Sequence, residues 1–394
     1  MPEDLCFVVI NPYPIRKSRT GGIIGRLLSR SSLELVAARM YAPSAGLVSD
    51  YLDAIPVSAG DPGRHVRALV KKYIAENYPP VKEGHRRRVM FLLFKGRDAC
   101  RELNEVVGHI TRSSLSGECI RDTYGDFIRD ARGTVRYFEP AVLTIPAGED
   151  PEPALRVWGG HAAADGGLLT DVIPWPKGAR PEETTVLIKP DIFSSRSIRA
   201  GNIIDIFSRA DLYIVAVKVL RMSVAQAEEF YGPVRISLAE RLKETVTARA
   251  RAALEREFGF PLPDDAVLHV GAHLNRLAAE DQFNQILKFM TGRDAAASSE
   301  GEREAPGLVP CLALVYQGID AVRKIREIIG ATDPRKAGAA TVRKEFGRDV
   351  MVNAAHASDS PESARREMRI IDFARDDVGP LIAEHLDRRR AGRG

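Results

Sequence analysis

Long apolar runs are absent from this sequence. None approaches the roughly 18 residues needed to cross a bilayer, which argues against a membrane-spanning role. Cysteine is scarce: Cys6, Cys100, Cys119 and Cys311 are too widely spaced for a disulfide framework or a zinc site. Charge of one sign is also missing in bulk. A net charge of +4 over 394 residues is too small to argue for a nucleic-acid partner. The basic runs His85–Arg88 and Arg388–Arg390 are short, and we read them as a solvated loop and a solvated tail. The opening residues, MPEDLCFVVINP, have neither the basic region nor the apolar core of a signal peptide, and with the cysteine spacing a reducing cytoplasm is the expected setting. What remains is an ordinary globular composition, 44% hydrophobic and 28% charged, long enough for two or three domains.

One stretch concentrates chemistry. Residues 330–368 hold a single histidine, His356, among small residues: Asn353, Ala354, Ala355, Ala357, Ser358 and Asp359. The alanines leave room for a substrate beside the ring, and Asn353, Ser358 and Asp359 offer hydrogen bonds. A helix is predicted from Ser360 as cap, Pro361 in its first turn and Glu362 at its positive end. Upstream stand Arg326, Thr332 and Arg343, and guanidinium groups fork onto phosphate oxygens. By themselves these residues also fit a lone histidine on a turn with arginines on solvated helix faces.

The chain repeats itself. Phe7–Pro12 echoes Thr185–Pro190, Phe91–Gly96 echoes Leu312–Gly318, and Cys119–Gly125 echoes Thr341–Gly347. A tandem duplication follows, with extra sequence in the second copy that we place at about 236–280, partly as a helix over Ser237–Phe258 ending at Pro261-Leu-Pro263. The second copy is predicted as strand Thr184–Lys189, helix Ile198–Ala210, strand Leu212–Leu220, short helix Ala225–Tyr231, strand Leu312–Tyr316 and helix Ile319–Ile329. That order suits an α+β, ferredoxin-like β-α-β-β-α-β core, present twice. The organisation expected is a first domain at 1–158, a Gly- and Pro-rich linker at 159–183, a second domain at 184–380 and a basic tail at 381–394.

The pattern G-A-T-D-P, T-V-R-x-x-F, N-x-x-H-x-S-D-S-x-E-S-A-x-x-E over almost forty positions resembles the active-site segment of nucleoside diphosphate kinases. The resemblance implies the same fold and a γ-phosphoryl transfer from ATP to a nucleoside diphosphate through a phosphohistidine, by ping-pong kinetics. It implies His356 as nucleophile, with Ser358 and Glu367 fixing and polarising its ring. Lys189, Arg326, Thr332 and Arg343 are then phosphate ligands, Asn353 contacts the sugar 3′-hydroxyl and the phosphates, and Tyr231 stands at the nucleotide site. Mg²⁺ is implied as a bridge between phosphates, without direct protein ligands, and the partners implied are nucleoside di- and triphosphates and further copies of the chain in a homo-oligomer.

There is one departure. Where the family carries an aromatic pair that clamps the base, this chain reads Glu280-Asp281-Gln282-Phe283, leaving Phe283 as the nearest ring. The first copy has lost the set: Asn11 stands for Lys189, Asn104 for Arg326 and Ile110 for Thr332, Arg121 alone persists, and no histidine occurs between His109 and His161. It reads as a pseudo-domain. The competing reading is a regulatory or scaffolding protein that binds nucleotide and turns over poorly. Phosphorylation of GDP by ATP separates the two.

Overall fold

The computed structural model describes residues 3–57, 63–81, 85–111 and 117–391. They fall into two units, one made of residues 1–219 and 312–394, the other of 220–311.

The first unit holds both copies of the repeat. In copy one, β1 (Asp4–Ile10), β2 (Glu34–Tyr41), β3 (Val89–Gly96), a small added hairpin of β4 (Asp126–Arg129) and β5 (Val135–Glu139), and β6 (Val142–Thr144) follow in sequence. Four of them form one sheet in the order β2-β3-β1-β6. In copy two, β7 (Glu182–Ile188), β8 (Tyr213–Leu220), β9 (Cys311–Gly318) and β10 (Ala355–Ala357) form the second sheet in the order β10-β7-β9-β8. Numbered within each copy, both sheets run 4-1-3-2. The pairings of β1 with β3 and β6, and of β7 with β9 and β10, are antiparallel. The central strands are apolar on both faces, Phe7–Ile10 and Val186–Ile188 being buried throughout, as strands covered by helices must be. This is the expected α+β, ferredoxin-like core, twice.

The two copies meet along helices Thr20–Arg30 and Arg199–Phe207. Glycines make the crossing possible. A Cβ on Gly201 would collide with the Gly21 carbonyl and stand 2.6 Å from Gly25 Cα. The Gly22 amide donates to Asp205 Oδ1 at 3.2 Å across the same crossing. The connection between copies contributes as well: Gly167 N donates to Met40 O at 2.9 Å on one sheet edge, and Leu169 N to Val215 O at 3.0 Å on the other.

Three expectations need correction. The segment 381–394 is not a solvated tail. As far as residue 391 it continues the helix Val378–Ala391, whose Val378, Ile382 and Leu386 recur every four residues and are buried. The remaining three residues lie outside the described residues. Arg88, read as part of a solvated loop, is buried. Its guanidinium lies 5.3 Å from the Tyr213 ring centroid and donates to Ile214 O, tying copy one to copy two. Burial pushes it down to about 10. In the second unit, the short helix over Ala225–Tyr231 is the start of one 35-residue helix, Val224–Phe258, that runs through Pro233. An interior proline costs about 3 kcal/mol. Here a capping box at Ser223 and Gln226 anchors the start, and packing against helix Asp264–Thr291 outweighs the break. Within this helical hairpin Arg235 Nη2 meets Glu280 Oε2 at 2.6 Å and Asn275 Nδ2 donates to Ala239 O at 2.8 Å. Among the described residues no helix is long and apolar enough to cross a membrane.

Candidate active site

Strand β10 is only three residues long, and its antiparallel register with β7 sets His356 opposite Leu187. Ala354, just before it, takes a left-handed φ of 69°, and its carbonyl accepts from Lys189 N at 2.9 Å. That turn brings the lysine at the end of β7 and the histidine strand to one edge. After β10, Ser360 caps the helix Pro361–Ile371 by accepting from Ser363 N at 3.0 Å, as its sequence predicts.

That helix carries Glu367 back under the histidine. His356 Nε2 lies 2.9 Å from Glu367 Oε1, and Ser358 Oγ donates to Glu367 Oε2 at 2.7 Å. Ser358 is itself pinned to β7, accepting from Thr185 N at 3.2 Å. Glu367 is almost fully enclosed, while the imidazole keeps 23% of its surface exposed. A carboxylate held by two partners therefore orients a ring whose other edge reaches solvent.

The phosphate-ligand candidates gather nearby. Lys189 Nζ donates to Asn353 Oδ1 at 2.7 Å and to Met351 O at 3.1 Å. Asn353 Nδ2 donates to the carbonyls of Thr332 at 3.0 Å and Val350 at 2.9 Å. Arg343 spans Gly330 O at 3.0 Å, Ala355 O at 3.2 Å and Thr332 Oγ1 at 3.5 Å. Arg326 sits exposed in the last turn of helix Ala321–Ile329. Ser363, with Arg326 and His356 adding to it, holds the Asp359 carboxyl below the usual range. Lys189, Arg326, Thr332, Arg343, Asn353, His356, Ser358 and Glu367 thus share one region of the first unit. Tyr231 belongs to the second unit, where it is buried with its ring 5.0 Å from Phe230. Phe283 lies in the same unit and is 2% exposed, with the Arg235 guanidinium 5.4 Å from its ring, so it presents little surface for stacking a base.

Two charged groups escaped the sequence reading. Arg366 Nη2 comes within 3.7 Å of Glu367 Oε1. Helical spacing sets position 366 off the face of 367, so sequence offered no signal for it. The Asp191 carboxyl is pushed up by burial, against the pull of Lys189. The segment Lys189-Pro190-Asp191 held that residue without revealing its enclosure.

Copy one repeats the backbone without the chemistry. Leu143 pairs with Val9 as His356 pairs with Leu187, so a leucine stands in the histidine position. Asn11 is buried and accepts from Tyr78 OH at 2.7 Å. Asn104 Nδ2 donates to Cys100 O at 2.7 Å and Ile145 O at 2.6 Å. Arg121 alone keeps its counterpart's role, donating to Gly108 O at 2.6 Å and Val142 O at 3.2 Å.

The nucleoside diphosphate kinase family model matches residues 182–247 and 269–378, stepping over the tip of the helical hairpin. A nucleoside diphosphate kinase from Halorhodospira halophila is 30% identical over 197 residues, which are 50% of this chain and 96% of that protein. One from Bdellovibrio bacteriovorus is 32% identical over 189 residues, 48% of this chain and 91% of that protein. Among solved structures, the nucleoside diphosphate kinase of Aquifex aeolicus is 28% identical, covers 49% of this chain and 95% of its own, and gives a TM-score of 0.31.

Proposed function

This chain belongs to the nucleoside diphosphate kinase family, and on that premise we propose that its second copy transfers the γ-phosphoryl group of ATP to a nucleoside diphosphate through a phosphorylated His356. As a member of the family it is a phosphotransferase. The observation that carries the residue assignment is the His356–Glu367–Ser358 chain of contacts at 2.9 and 2.7 Å. With Nε2–H donating to Glu367, the lone pair of the ring lies on Nδ1. Nδ1 attacks the γ-phosphorus, an N–P bond forms, and the P–O bond to the β-phosphate breaks with its electron pair leaving on the nucleoside diphosphate. Glu367 offsets the positive charge that develops on the ring. In the second half-reaction a terminal oxygen of the acceptor diphosphate attacks the phosphorus, and the N–P pair returns to Nδ1. One site serving two half-reactions gives ping-pong kinetics.

Phosphoryl transfer asks chiefly for positioning and charge stabilisation. Lys189, Arg326 and Arg343 supply positive charge for the phosphates and Thr332 a hydroxyl, and Asn353 is assigned to the sugar 3′-hydroxyl and the phosphates. Mg²⁺ would be supplied with the nucleotide and would neutralise phosphate charge, without a direct ligand from this chain. Tyr231 matches a tyrosine that the family resemblance puts at the nucleotide site. Further copies of the chain are expected to assemble with it into a closed homo-oligomer, which light scattering tests. Deleting 236–280 should change the nucleotide KM or that assembly state.

The direct test is brief exposure to labelled ATP with Mg²⁺. Acid-labile, base-stable label on His356 that is chased onto GDP is the expected result. Label on another residue, or an active enzyme with none on His356, rejects the assignment. Phe283's burial motivates a second reading, a regulatory protein that binds nucleotide and turns over poorly. It predicts ATP binding with negligible GDP phosphorylation.

A further inference from the structure

Copy one contains a cavity of about 680 Å³, within the range of about 300–1,000 Å³ typical of small-molecule sites. Its position is set by the repeat. Leu143, Ile110, Asn104 and Arg121 line it, and these are the counterparts of His356, Thr332, Arg326 and Arg343. The rest of the wall is mostly apolar and includes Tyr51, Ile55, Val66 and Val70 from the helices over Ala45–Asp53 and Arg64–Asn77 or just beyond them. The place that holds a charged constellation in copy two has become an apolar chamber in copy one.

The charge left in that chamber can be traced. Arg67 at its wall is paired with Glu149, and Asp150 with Arg389 at 3.0 Å. Arg121 has no carboxylate partner among the described residues. Two of its nitrogens hold backbone carbonyls, and its enclosed Nε has no hydrogen-bond partner. A partly enclosed guanidinium with donors to spare is a receptor for one anionic group. A di- or triphosphate would bring several charges to a wall where the counterparts of Arg326 and Thr332 are Asn104 and Ile110, both uncharged.

We propose that copy one binds a small amphipathic anion, a single carboxylate or sulfonate on an apolar body, with the anionic group on Arg121 and the body against Leu143, Ile110 and Val70. The site is separate from the phosphotransfer centre and does not rest on the reading of His356.

Calorimetry on the full chain, with dodecanoate below its micelle concentration and dodecanol as the uncharged control, tests this. Saturable one-to-one binding of dodecanoate is expected, with the alcohol at least about tenfold weaker. Val70→Trp fills the chamber from its partly exposed wall and should abolish binding while leaving the melting temperature near wild type. Arg121→Met should erase the preference for acid over alcohol. If Arg121→Met does not fold, Val70→Trp and the acid–alcohol pair still decide. Absence of saturable binding, equal affinity for acid and alcohol, undiminished binding by Val70→Trp, or displacement of dodecanoate by ADP would each overturn the proposal.

Discussion

Gly108 and Gly330 end equivalent helices at φ of 85° and 82°; Asp98 and Asp320 begin them at 48° and 55°; Ala141 and Ala354 turn into the last strand at 58° and 69°. Left-handed backbone at aspartate and alanine costs roughly 1–2 kcal/mol a residue. Such strain at an active site invites a functional explanation. Copy one keeps the strain where the histidine, the lysine and one arginine are gone. The turns therefore belong to the fold, needed to bring a short fourth strand onto the first. In copy two they carry His356, Lys189 and Arg343; in copy one they carry Leu143, Asn11 and Arg121. Arg121 and Arg343 show the same division. Both bind the carbonyl of their helix-ending glycine, at 2.6 and 3.0 Å, so part of that arginine's work is structural in either copy.

The sharpest way to break this comparison is to exchange the residues at equivalent register. His356→Ala should reduce the phosphoenzyme and the transfer to GDP to background. Leu143→His in copy one should restore neither, because Asn11 and Asn104 offer no cationic partners there. Labelled phosphoprotein in a Leu143→His, His356→Ala double variant would show that the two sites are closer in capability than their linings indicate. Next in size come Lys189→Ala and Arg343→Ala. Each should lower the rate of GDP phosphorylation by about 10²-fold, as loss of one electrostatic contact to a transferred group does. Stopped-flow measurement of the first half-reaction separates this from weaker binding. Since Arg343 also holds Gly330, its variant should lose melting temperature as well, and Lys189→Ala less.

A further substitution addresses the seam. Gly201→Ala drives a Cβ into the backbone of Gly21 and Gly25. It should destabilise the chain by about 1–3 kcal/mol, read as a lower denaturation midpoint, with the chemistry of His356 preserved in the fraction that folds. The smallest effect expected is a pH dependence. Burial pushes the Asp205 carboxyl above its ordinary value of 3.8. A group whose folded pKa is raised contributes stability that is fully present below the unfolded value and is lost as pH rises through the folded one. Asp205→Asn should therefore flatten the fall in melting temperature between acid and neutral pH. An unchanged slope would mean that the Gly22 amide compensates the charge.

The α+β core was legible because its signals are local. Thr184–Lys189 and Leu212–Leu220 are β-branched runs, Ser360-Pro361-Glu362 is a cap, and two of the echoed pairs fall on matching strands of two sheets while the third forms matching short helices. The residues around His356 were legible because they sit within a few turns of one another. What stayed hidden depends on long-range packing. Gly232-Pro233 is a stop signal in any short window, and only a second helix alongside overrides it. The run Arg388–Arg390 hides Val378, Ile382 and Leu386 behind its charge, although their spacing was there to be found. Leu143 is anonymous in sequence, because its meaning comes from facing Val9 in a register that the added hairpin of β4 and β5 displaces. The cavity has no linear signature at all.

The crossing of Thr20–Arg30 with Arg199–Phe207 lies within one polypeptide. A seam between separate subunits comes apart on dilution, and its partners can exchange. A tethered seam experiences an effective concentration fixed by the connection rather than by the cell. The ratio of one copy with a histidine at the fourth-strand position to one copy with a leucine there is consequently invariant, at any expression level and in any assembly the chain enters. Copy one can therefore keep its half of the glycine crossing whatever chemistry its own fourth strand carries, and the place equivalent to the His356 region was open to take another use.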